Sequence, residues 1–99
     1  MDRIESVVTF LADRLPAFTW RGSHAGSYGF RAVGYLGVFG LRVSVLVQDQ
    51  EIVRVRVHTA SRSSDDPRLG YDFLAAVRKT VEAQEFILRA LPDFLETLD

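Results

Sequence analysis

At 99 residues, 47% apolar and 25% charged, the chain has the composition of an ordinary globular protein, which excludes disordered, collagen-like and low-complexity classes. It has no cysteine, so disulfides, thiolate metal sites and a cysteine nucleophile are excluded as well. The formal net charge of -1 hides an uneven distribution: residues 17–62 hold six arginines against Asp49 and Glu51, whereas residues 63–99 hold eight acids against four bases.

One α+β domain over 1–99 is the expectation. A chain of this size buries only roughly 65% of the surface exposed by its unfolded form, so its core is thin and self-association is a source of added stability. The first residues open an amphipathic pattern containing Asp2 and Glu5, unlike the basic-then-apolar plan of a signal peptide. No apolar run reaches membrane-spanning length. A cytoplasmic location without a membrane partner is therefore expected.

Asp2 and Glu5 make a capping-box-like start, and Ile4, Val7, Val8, Leu11 and Leu15 recur at helical spacing until Pro16, which predicts a helix over 3–15. From Ala17 the period becomes two: Phe18 and Trp20 alternate with Thr19 and Arg21, as in a short strand. Gly22 to Gly29 reads as a flexible connection into a second strand over 28–36, in which Phe30, Ala32, Gly34 and Leu36 face the core.

Parity fixes the next pairings, because side chains alternate faces and directly opposed residues share one. In the third strand Leu41, Val43, Val45 and Val47 point inward; in the fourth, Val53, Val55 and Val57 do. Joining the even-numbered inward set of the second strand to the odd-numbered set of the third requires an even loop, met by the four residues 37–40. The expected pairs are Leu36 with Leu41, Ala32 with Val45, and Tyr35 with Arg42. Odd to odd requires an odd loop between the third and fourth strands, most simply three residues at 49–51, and a two-residue Asp49-Gln50 turn is rejected on that ground.

Asp65-Asp66-Pro67 is a helix start with Asp66 as cap. The helix it opens carries one stripe of Leu74, Val77, Val81, Gln84, Leu88 and Leu91 beside a second of Phe73, Ala76, Thr80, Ala83 and Ile87. Pro92 lacks the N–H that would bond to Leu88, so the helix is expected to break there and restart as a short final helix. The result is a two-layer α+β fold of order αββββα, with a four-stranded antiparallel sheet and both helices on one face.

The main candidate site is the outward sheet face, with Arg21, Arg31, Tyr35, Arg42, Arg54, Arg56 and His58 beside Val33, Leu46 and Ile52. Arginines interleaved with an aromatic are able to grip phosphates and stack bases, as single-strand nucleic-acid binders do. An open antiparallel sheet also needs a solvated face, and arginine provides one while its stem covers apolar neighbours. Arg and Tyr are enriched at protein interfaces, which adds a third reading.

The glycine-rich 22–29 segment leads from strand to strand, without the helix N-terminus that phosphate-binding loops require. His24 and His58 are the only histidines and lack carboxylates at ligand spacing, so no metal or other cofactor is expected. No nucleophile elbow or paired carboxylates organise the serines and acids, and a non-enzyme is expected. The leading expectation is a homodimeric interaction module that binds a protein partner through the C-terminal helical segment or the outer sheet face. Single-stranded nucleic-acid or polyanion binding by the arginine face is the alternative.

Overall fold

A computed structural model describes residues 2–37, 40–58 and 71–98. The order is α1 (Arg3–Arg14), β1 (Thr19–Ala25), β2 (Gly29–Leu36), β3 (Leu41–Gln48), β4 (Glu51–His58) and α2 (Tyr71–Glu96). The strands form one open antiparallel sheet in sequence order β1-β2-β3-β4. This is the αββββα fold of the α+β class expected from the sequence. The proposed helix start at Asp65, Asp66 and Pro67 lies outside the described residues.

Helix α1 begins where Asp2 accepts a hydrogen bond from the Glu5 backbone N–H at 2.8 Å, which satisfies one of the donors left free in a first turn. Val7 and Leu11 are completely buried, and the helix lies over β1 and β2. Helix α2 lies over β3 and β4. The two helices meet where the Phe10 ring stacks on Phe94 at 4.2 Å and on Phe86 at 6.1 Å, so one apolar core joins both helices to one face of the sheet.

The β2–β3 register is the expected one, with Leu36 opposite Leu41, Ala32 opposite Val45 and Tyr35 opposite Arg42. Gly37 and Gly40 bound the four-residue connection with φ of 61° and 69°, values that glycine adopts without steric cost.

Three local expectations are corrected. Residues 22–25 belong to β1, so the connection to β2 is much shorter than 22–29. Gly22 is required there by packing: a Cβ would collide with the Ile4 side chain and stand 2.9 Å from Val8, so only glycine lets α1 sit this close to the strand.

The β3–β4 hairpin combines features that parity set against each other. Gln48 pairs with Glu51 across a two-residue Asp49-Gln50 turn, both residues having positive φ (51° and 71°), while Leu46 pairs with Arg54. A bulge at Val53 absorbs the odd residue and restores the expected parity from Arg54 to His58. Ile52 therefore turns to the core opposite Val47, and Val53, expected inside, is 54% exposed.

The third correction concerns α2, which runs unbroken through Pro92 to Glu96. A proline inside a helix costs about 3 kcal/mol, through the lost hydrogen bond and the clash of its ring with the preceding turn, whereas burying two leucines stabilises by roughly 4 kcal/mol. Leu91 and Leu95, both buried, flank the exposed Pro92 and hold the last turns on the core. The stripe that packs is Ala76, Thr80, Ala83 and Ile87 with Leu91 and Leu95; Leu74, Val81 and Leu88 of the other stripe are exposed. Thr80 is buried without penalty because its hydroxyl donates to the Val77 carbonyl at 2.6 Å.

Candidate binding face

The pleat that sends β-branched residues inward places every second residue of the same strands on the open side. Pairing then arranges these in rows across the sheet. The first row runs Thr19, Tyr35, Arg42, His58; the second Arg21, Val33, Ser44, Arg56; the third Ser23, Arg31, Leu46, Arg54. Five arginines occupy three adjacent rows that contain no acidic residue.

Side chains of β2 to β4 on this face enclose a concavity of about 360 Å³. Arg31, Tyr35, Arg42, Arg54, Arg56 and His58, all candidates by sequence, line that concavity. Arg21 does not; it stands on β1 opposite Val33 and lines a separate depression beside α1. Ile52, expected on this face, belongs to the core side instead, for the reason given by the bulge. Ser44 lies at the centre between Val33 and Arg56 and is absent from the sequence-based set, although strand parity alone places it there.

Among the described residues none of these arginine side chains makes a hydrogen bond or an ion pair. The rows are thus a set of cationic donors whose partners are not supplied by the described part of the fold. Two of them act on His58. Its pKa is held below the ordinary 6.5 first by partial burial, then by the positive charge of Arg42 opposite it and of Arg56 two residues away. Tyr35, 43% exposed, and the imidazole of His58 are the aromatic rings in the three rows.

A second depression, about 600 Å³, lies between the Asp49-Gln50 turn and the end of α2. Asp49, Glu51 and Glu96 make its rim acidic, and Leu88, Pro92 and Leu95 form its apolar floor. Among the described residues no three His, Asp or Glu side chains gather as a metal site would require, and no helix is long and apolar enough to cross a membrane.

Comparison with known proteins returns no match to this chain, whether among family models, curated proteins or solved structures.

Proposed function

We propose that this chain is a non-catalytic interaction module whose open sheet face binds an extended acidic segment of a protein partner. One observation carries the reading: four arginines line a single concavity, in rows free of carboxylates, with Val33 and Leu46 between them. Carboxylates of a partner strand would accept bidentate bonds from the guanidinium groups, and aliphatic side chains would settle on Val33 and Leu46.

A second copy of the chain is a poor occupant of this face, since a two-fold axis through it sets arginine against arginine. Nucleic acid would satisfy the charge, but base stacking needs a series of aromatic platforms and the rows hold one tyrosine, Tyr35, and the half-buried His58. The balance of charged and aliphatic residues favours a polypeptide.

Fluorescence anisotropy with two labelled probes of equal charge tests this: a peptide alternating Glu and Leu, and a mixed-sequence single-stranded oligonucleotide. The peptide is expected to bind more tightly, to weaken as salt rises, and to lose about fivefold in affinity, or ~1 kcal/mol, for each of Arg42→Ala and Arg54→Ala. A preference for the oligonucleotide would transfer the site to nucleic acid. No binding of either probe at low salt would overturn both readings.

A further inference from the structure

We infer that the exposed stripe of α2 is a self-association surface on which a second copy of this chain docks, its α2 antiparallel to the first about a two-fold axis at Val81. Leu74, Val81 and Leu88 are 63%, 40% and 53% exposed. Their spacing of seven residues keeps them on one side of the helix with a drift of only about 20° per step. On the side toward the sheet they adjoin Val77 and Gln84, and the Gln84 amide donates to the Val55 carbonyl of β4 at 3.3 Å. The stripe therefore borders the β4 edge of the sheet and is continuous with the core.

What selects a second copy as the occupant is that the stripe is complementary to itself. An antiparallel two-fold at Val81 brings Val81 against Val81 of the other copy, and Leu74 against its Leu88. Arg78 and Glu85, both exposed, flank the stripe on its solvent side, three residues before and four after the axis. The same operation leaves the Arg78 of one copy about 1.5 Å along the axis from the Glu85 of the other, on the same flank. Two symmetric ion pairs then close over three apolar layers. A parallel arrangement makes no such pairs, because it turns each solvent flank toward the other copy's sheet.

The β4 edges come side by side under this operation without having to pair. The bulge at Val53 and the Gln84 bond to the Val55 carbonyl interrupt the ladder that strand addition would need. The arginine face is left open, so docking there and self-association proceed on separate surfaces.

Sedimentation of the whole chain from about 10 to 300 μM is expected to show a monomer–dimer equilibrium. Val81→Glu, at an exposed position, should abolish the dimer with unchanged circular dichroism. Arg78→Glu should weaken it several-fold, and Arg78→Glu combined with Glu85→Arg should recover it, which a merely structural role would not produce. The natural chain has no cysteine, so Val81→Cys with oxidised glutathione should give a disulfide-linked dimer, while Lys79→Cys on another side of the helix should not. A wild-type monomer at about 300 μM, a dimer indifferent to Val81→Glu, or no recovery in the double variant would overturn the inference. Arg42→Ala and Arg54→Ala leave this equilibrium unchanged, which separates its failure from failure of the acidic-segment reading.

Discussion

Strand β3 presents two faces made by one stretch of backbone. Leu41, Val43 and Val45 on one side are 0% exposed and Val47 is 1%, whereas Arg42 and Gln48 on the other are exposed and Ser44 and Leu46 half-buried. The inward residues are determined by what they exclude, since α2 presses water out from above them. The outward residues lie beside one another in the rows and are covered by neither helix. Across the four strands this outward face carries five arginines, more than solvation of a sheet face demands, because Ser, Thr or Gln would serve. A contrast this sharp separates substitutions that should act on stability from those that should act on binding.

The largest expected effect lies on the inner face. Val45→Asp places a carboxylate at the middle of the core, opposite Ala32 and Val55, with no donor to pair it. The cost of about 4 kcal/mol or more approaches the whole stability of a small domain, so cooperative thermal unfolding should disappear from the circular dichroism trace. Its outward neighbour gives the control: Ser44→Asp should change the stability by only about 1 kcal/mol or less. Comparable losses from the two variants would mean that the outer face is packed against something.

A smaller effect tests how closely the inner face is fitted. Trp20 and Gly34 are paired across β1 and β2, and the indole lies over the glycine so that an added Cβ would stand 2.7 Å from the ring. The ring is not free to retreat, because its N–H donates to the Leu15 carbonyl at 3.1 Å and its face packs against Phe18. Gly34→Ala should therefore cost about 1–3 kcal/mol in chemical denaturation and alter tryptophan fluorescence in the folded state. A neutral result would show that the β1 edge yields where the centre of the sheet does not.

Parity makes the inner face legible in the chain itself, because a buried face tolerates no one-residue slip; the β2–β3 pairs and loop length follow from that constraint together with the glycines at 37 and 40. The β3–β4 hairpin shows where parity stops. It counts residues between two inward sets, and a bulge at Val53 changes the count without leaving a mark in the alternation of Val53, Val55 and Val57. Asp49-Gln50 likewise carries no glycine to announce its positive φ. In β1, Gly22 has the look of a connection because its reason for being glycine is the approach of α1, a contact distant in sequence. In α2, two apolar stripes lie side by side, and only the position of the sheet decides which is buried. The arginine face is legible as a set of residues, but its rows depend on register, which is not written in composition.

The most delicate probe of the outer face is His58. Its pKa is lowered by burial first and by Arg42 and Arg56 next, so the folded chain takes up a proton less readily than the unfolded one. Folding stability from this group is thus fully present above pH 6.5 and is lost as pH falls through that value toward the folded pKa. An acidic partner on the arginines reverses the bias: it screens their charge, raises the His58 pKa, and is bound together with a proton. Affinity for the Glu-Leu peptide should accordingly increase as the solution is acidified through the same window, above the range in which the peptide's own carboxylates protonate. In the free chain, Arg42→Ala should move the His58 NMR titration midpoint up further than Arg56→Ala does. Neither should return it fully to 6.5, since burial, the larger cause, is untouched. Midpoints unmoved by both substitutions would mean that the arginines do not converge on this row, and would weaken the contrast between the two faces at its most exposed point.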